Sequence, residues 1–284
     1  MRNILLSLVI IVISMQQSYT MCKAVITHGN RSDGFGAQFL SIIGSAVYAE
    51  FNNKEYVYTP FKTMQHNYDN DPDFITKKEW LINFLDNFDI NKSNTIFNLD
   101  YAFWYFLCEE SRGVFGARRW TTLTPDPKFS MADCANSIVL KKIKTIFKAN
   151  KNINNYFNNE NFNIAIHMRR HNPHDDRIAG TDMSDSVYLN TIERLRTKFA
   201  FKNPLFHVYS QGDSKDFEIF NAPDIMLHLN ESIENTFTSL VLADLLVVST
   251  STFSYTAGIL SEGIVYYIPF WWKPFPDWTS VNNI

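Results

Sequence analysis

The sequence predicts an α/β fold made of two halves, each a parallel sheet flanked by helices. Three observations lead there. Short β-branched apolar runs alternate with helix-period segments through the second half of the chain. A strand, a glycine-containing turn and an amphipathic helix open the first half in the same manner. Between them, residues 150–163 hold eight Asn in fourteen positions and keep no apolar period, which reads as a loop.

Taken in order, Lys23–Thr27 (KAVIT) reads as a strand, 28–34 as a turn, Phe35–Phe51 as a helix and Glu55–Thr59 as the next strand. Asp73–Phe88 and Met131–Ala149 carry helical spacing. The stretch between those two helices follows neither period. Beyond the Asn-rich loop, Phe162–Met168 is a buried-type strand and Ser186–Phe199 a helix. Leu205–Ser210, Asp224–Leu229, Asp244–Ser249 and Ile264–Ile268 are strands, with helices at 213–221, 234–243 and 254–262. The division expected is a leader at 1–20, a first lobe at 21–150, a linker at 151–161 and a second lobe at 162–284.

The leader has a basic n-region (Arg2), an apolar run from Ile4 to Met15, and small residues at 18 and 20, the layout of a secretory signal peptide. The apolar run is too short for a stable membrane span, although an uncleaved signal-anchor fits the same residues. A lumenal or secreted location makes the sequons at Asn30, Asn91 and Asn230 readable. Of the three cysteines, at Cys22, Cys108 and Cys134, at most one internal pair can form, and Cys108–Cys134 is the pair expected. The net charge of -3 gives no general attraction to nucleic acid, so any anion site must be local.

Three segments carry candidate chemistry. In the first turn, Gly34 and Gly36 allow close backbone approach before a helix N-terminus; without Gly-Lys-Ser/Thr the segment is no P-loop. At the end of the 162–168 strand stands His167-Met-Arg169-Arg170. Alternation puts His167 and Arg169 on one face and Arg170 on the other. Arginine there offers a permanent bidentate donor fork for phosphate. His167, His171 and His174 raise a metal reading, against which Pro173 denies the helix that His-x-x-x-His needs. Third, Ser249-Thr-Ser-Thr252 lies between a strand and a helix, offering hydroxyls and N–H groups to phosphate or simply capping the helix. Asp213 either meets a ribose or base edge or caps its own helix. Asp71-Pro72-Asp73 matches an acid-x-acid metal pattern but reads better as Asp71 capping a helix with Pro72 at its first position. The aromatic tail from Phe270 to Trp278 reads as packing.

These segments, in this order, resemble the GDP-fucose-dependent fucosyltransferase superfamily of α1,2-, α1,6- and protein O-fucosyltransferases. Gly34-Phe35-Gly36-Ala37-Gln38-Phe39 is similar to the family's G-[LF]-G-N-Q-x-F loop, His167–Arg170 to its H-x-R-R motif, and Leu246–Ser254 to its strand and Ser-rich phosphate loop. The resemblance implies a GT-B fold with the donor in the interlobe cleft, and an inverting, metal-independent transfer from GDP-fucose to a glycan or protein acceptor. It implies donor contacts from Gly34, Phe35, Gly36, Gln38, His167, Arg169, Arg170, Asp213, Ser251, Thr252 and Phe253. Arg169 would neutralise the β-phosphate, and Asp175 or Asp176 would take the acceptor proton. Departures are Ala37 for the family Asn and His171-Asn172 where Gly-Asp or Thr-Asp is common. The alternatives are a catalytically silent glycan- or nucleotide-binding homologue, an enzyme using another nucleotide sugar, and a hydrolase with a metal on the three histidines.

Overall fold

A computed structural model describes residues 25–29, 32–84, 96–99, 131–158, 160–170, 182–270 and 272–284. The leader, Cys22, Asn30, Asn91, Cys108, His171, His174, Asp175 and Asp176 lie outside the described residues.

The first half holds β1 (Val25–His28), α1 (Phe35–Phe51), β2 (Glu55–Tyr56), α2 (Phe74–Ile82), β3 (Ile96–Leu99), α3 (Met131–Asn136) and α4 (Ile138–Lys148). Its three strands are parallel in the order β2-β1-β3. Helix α1 runs over the residues its spacing predicts and ends where Asn53 turns left-handed. The segment read as one helix over 131–149 is two. Ser137 interrupts it, and its hydroxyl accepts from Leu140 N at 2.9 Å as the cap of α4. Glu50, at the end of α1, adds a carboxylate at the same N-terminus, accepting from Ile138 N at 3.0 Å. Asp71 is not the helix cap: α2 opens at Phe74, and the Asp71 carboxylate closes the preceding turn, accepting from Asp73 N at 3.0 Å and Lys77 Nζ at 2.6 Å. Cys134 is a buried thiol, pushed up to about 12 by that burial; Cys108, the partner expected for it, lies outside the described residues.

The second half contains β4 (Phe162–His167), α5 (Asp185–Lys198), β5 (Pro204–Ser210), β6 (Ile225–Leu229), α6 (Ile233–Leu242), β7 (Leu245–Val248), α7 (Thr252–Leu260), β8 (Ile264–Tyr267) and β9 (Thr279–Ser280). All six strands are parallel, in the order β6-β5-β4-β7-β8-β9. The α/β class with parallel sheets is therefore what the sequence predicts. The chain builds outward from β4 to β6, then returns to the other side of β4 with β7. That reversal makes β4 and β7 the topological switch point.

Alternate residues of β4 feed two cores. Ile164, Ile166 and Met168 pack with Tyr188, Ile192 and Leu195 of α5. Ala165 faces the other way, into a core shared by α6, α7, α1 and α4. Phe237 of α6 sits at that junction, edge-on to Phe35 at 5.0 Å, Phe147 at 5.6 Å and Phe253 at 5.2 Å. Aromatic pairs of this geometry contribute roughly 0.5–1.5 kcal/mol each beyond their buried area, which ties the two halves together. A buried ion pair adds to the joint, with Lys78 of α2 at 2.7 Å from Glu234 of α6. The Asn-rich stretch is packed too: Phe157 is buried, and Asn163 lies inside β4 with its amide donating to the carbonyls of Asn158 and Asn161. As expected, the tail is structural, with Trp272 and Trp278 edge-on to Tyr255.

Candidate functional site

The register carries the site. Ile166 pairs with Val247 and His167 with Tyr209, so the chain leaves β4, β5 and β7 at one edge of the sheet. Arg169 stands three residues beyond Ile166 and Thr250 three beyond Val247, in the two segments that leave the switch-point strands. This is the position where open parallel sheets take ligands. Met168 N donates to Tyr209 O at 2.9 Å and Ser210 Oγ to Met168 O at 2.8 Å, holding the arginine segment against β5 after the regular ladder has ended.

Arg169 is only 7% exposed, with Nη1 at 3.8 Å from Asp182 Oδ1. His167 shares its face and packs on the Phe253 ring at 5.5 Å. The His167 Nδ1 atom is buried with no hydrogen-bond partner among the described residues. Burial, and secondarily the Arg169 charge, lowers this imidazole from 6.5 to about 3, so it stands neutral beside the arginine. Arg170 turns to the opposite face, ion-paired to Asp185 and stacked over the Phe217 ring. The Tyr188 and Ser249 hydroxyls are both buried without a hydrogen-bond partner among the described residues.

After β7, the chain turns through Ser249 and Thr250 into α7, which begins two residues earlier than its apolar spacing suggests. Ser251 is the cap, its hydroxyl accepting from Phe253 N at 3.3 Å. Ser254 Oγ accepts from Ser249 N at 3.2 Å, tightening the turn. One hydroxyl therefore serves as cap, engaging the Phe253 N–H, and Thr252 and Phe253 fall in the first helical turn, at the positive pole of α7.

The glycine loop joins this corner from the first half. A Cβ at Gly36 would lie 2.5 Å from Phe253 Cα, and Thr256 Oγ1 donates to Gly36 O at 2.9 Å. The N-termini of α1 and α7 thus meet backbone to backbone, which only glycine permits. At Gly34, a Cβ would meet the His66 ring at 2.7 Å. Gln38 Nε2 donates to Asp33 O at 2.7 Å and Thr63 O at 2.8 Å, stapling the loop, and the Phe35 ring is buried in the core. Of the residues singled out, then, Gly36, His167, Arg169, Ser251, Thr252 and Phe253 gather at one corner. Phe35 and Gln38 present their functional groups to the protein interior, and Arg170 stands half-buried on the α5 side, held by Asp185. Asp213 is exposed and caps a 3-10 turn, accepting from Lys215 N at 3.0 Å.

A cleft of about 590 Å³ opens beside the switch point on the α5 face, lined by Arg170, Asp182, Asp185, Gln211, Gly212 and Asp216 among others. Sequence reasoning missed Asp182 and Thr256, because both act on partners remote in sequence. Among the described residues no helix is long and apolar enough to cross a membrane. Likewise, no group of three or more His, Cys, Asp or Glu among them is placed to hold a metal.

No protein-family model and no curated protein matches the chain. Among solved structures it is similar to NodZ alpha-1,6-fucosyltransferase co-crystallized with GDP, at 11% identity and TM-score 0.39, over 84% of this chain and 93% of that one. A second is the fucosyltransferase NodZ from Bradyrhizobium, at 12% identity and TM-score 0.39 over the same shares, 84% and 93%. A third is POFUT1 in complex with GDP, at 13% identity and TM-score 0.43, over 88% of this chain and 100% of that one. Likenesses this distant carry no chemistry across; what the corner does follows from its own residues.

His167 of the corner and His28, in the first half, set an acid limit. His28 ends β1 with Nδ1 at 3.1 Å from Tyr56 Oη, and burial lowers it from 6.5 to about 4. For both His28 and His167 the unfolded chain takes a proton first. Stability is full above about pH 6.5 and is lost as pH falls toward 4 and then 3, by up to about 3 kcal/mol for His28 and about 5 kcal/mol for His167. Urea unfolding at a series of pH values is expected to show this loss, reduced by the His28 share in His28→Gln.

Proposed function

We propose that the chain is an inverting, metal-independent glycosyltransferase moving fucose from GDP-fucose to a glycan or protein acceptor. The observation that carries the reading is Arg169, nearly enclosed at the switch point, two residues from His167, whose ring packs on Phe253 in the first turn of α7. A buried guanidinium and a helix N-terminus at one corner suit a diphosphate, because both are preorganised for negative charge. When the C1–O bond of the donor breaks, charge develops on the departing β-phosphate, and these donors need no reorientation to stabilise it. Asp182, which meets Arg169 in the free protein, is the contact a phosphate would replace. The adjoining cleft has room for the nucleoside.

In this reading residues 162–284 hold the donor and residues 21–150 present the acceptor, with Gly36 bringing the two surfaces together. Gly34, Phe35 and Gln38 shape the loop, Ser251 caps α7, and Thr252 and Phe253 set the positive end of that helix toward the phosphate. Arg170 and Asp213 flank the nucleoside. Asp175 or Asp176 takes the acceptor proton, and the reaction belongs to the secretory lumen. The test is GDP release from GDP-fucose in the presence and absence of EDTA. Equal rates, with little turnover of other nucleotide sugars and an α-fucoside product, are expected. Release that needs added metal, or is faster from another nucleotide sugar, would overturn the donor assignment.

A further inference from the structure

Behind the cleft, on the sheet face covered by α6, two imidazoles meet head-on. His207 Nδ1 and His228 Nε2 are 3.0 Å apart, and the ring centroids are 5.2 Å apart. That centroid distance is what two ring radii and the nitrogen gap add up to, so the two nitrogens lie on the line between the rings. Each ring is anchored at its other nitrogen. His207 Nε2 faces Asn163 Oδ1 at 3.2 Å, and His228 Nδ1 faces Glu231 Oε1 at 2.8 Å. The Asn163 amide cannot be reversed, since its nitrogen donates to the carbonyls of Asn158 at 2.8 Å and Asn161 at 3.1 Å.

Proton counting then decides the state. Asn163 Oδ1 and the Glu231 carboxylate accept only, so both outer nitrogens carry hydrogen. Were both rings neutral, two lone pairs would point at each other across 3.0 Å inside the protein. A hydrogen between them completes the chain, giving three N–H groups on two rings and one positive charge. A metal ion would need the two lone pairs to converge off that line. We propose that this pair holds one excess proton in the folded protein, balanced by Glu231, and that losing it loosens the β5–β6 edge beside the donor cleft.

The surroundings favour charge on the outer ring. Burial, then the neighbouring His228, lowers His207 from 6.5 to about 4, so it is the neutral acceptor. The remaining groups packed on this face are the Tyr209 phenol stacked at 4.4 Å on His228, the Phe157 ring, Asp244, which accepts from Asn163 N, and the Lys78–Glu234 pair on α6. The link to the cleft is short. Asn230, next to Glu231, clasps Gly212 twice, accepting from its N–H at 3.0 Å and donating to its carbonyl at 2.9 Å, and Gly212 lines the cleft.

The inference holds whatever nucleotide the cleft takes. Nitrogen-15 NMR of the histidine-labelled full chain is expected to count three N–H groups on this pair at pH 6 and two after titration. Glu231→Gln is expected to move that deprotonation down by about one pH unit. Gly212 amide exchange, corrected for its intrinsic rate, should quicken in step. Two N–H groups at every pH from 5 to 9 in the wild type would overturn the shared proton, whether or not the variant folds. An unchanged titration in a folded Glu231→Gln would overturn the role of the carboxylate. Gly212 exchange indifferent to the titration would overturn the link to the cleft.

Discussion

Arg169→Ala is expected to lower kcat for GDP-fucose by about 10²–10³ while leaving the protein folded. The guanidinium stands just beyond the end of β4 at the switch point, and the charge it would meet appears mainly in the transition state. Arg169 is buried, and the Asp182 oxygen that faces it is buried as well, so the truncation strands a carboxylate oxygen and is expected to cost about 1–3 kcal/mol of stability. Arg169→Lys retains the charge without the bidentate fork and should fall between the two. Steady-state rates and urea unfolding on the same preparations separate the effects. An Arg169→Ala enzyme with near wild-type kcat would remove the arginine from the chemistry.

Gly36→Ala is expected to cost about 1–3 kcal/mol and to abolish tight donor binding. Helix propensity alone argues the opposite, since alanine inside a helix is favoured over glycine by roughly 0.5–1 kcal/mol. What decides is the obstacle. The new methyl would lie 2.5 Å from Phe253 Cα and 2.8 Å from Phe253 N, and main chain at a helix start cannot swing aside. Relief requires α1 and α7 to part, which moves the anion-binding turn. Gly34→Ala is the control, because its obstacle is the His66 ring, a side chain able to rotate at the cost of its contact with Tyr68 Oη. A shift of roughly 1 kcal/mol or less is expected there. Melting temperature and GDP affinity, measured on both variants, test the contrast.

Particular residues show what the sequence could and could not disclose. Helix α1 and strand β4 are legible because each is an unbroken apolar pattern with polar residues at its ends. The alternation along β4 likewise separates Arg169 from Arg170 before any contact is known. The break at Ser137 is hidden because apolar spacing runs on through it, and β3 is only four residues long. Strand order, and with it the switch point, depends on which strand follows which across the sheet, something no local window contains. Gly36 looks like a ligand-approach glycine, and only the fold shows that it admits another backbone. Gln38 looks like a ligand-binding amide, yet its donors are taken by Asp33 and Thr63, the second of them 25 residues away. The proton-sharing pair escapes notice for the same reason: His207 and His228 are 21 residues apart and meet only because β5 and β6 pair in register.

The most direct test of the central claim is calorimetric titration of the protein with GDP in EDTA, beside Arg169→Ala. Micromolar binding in the wild type, indifferent to the chelator and lost in the folded variant, is the expected result. Wild-type protein that is folded yet takes up no GDP, or a variant that binds it equally well, would contradict the assignment of the β4–β7 corner as a nucleotide-sugar site.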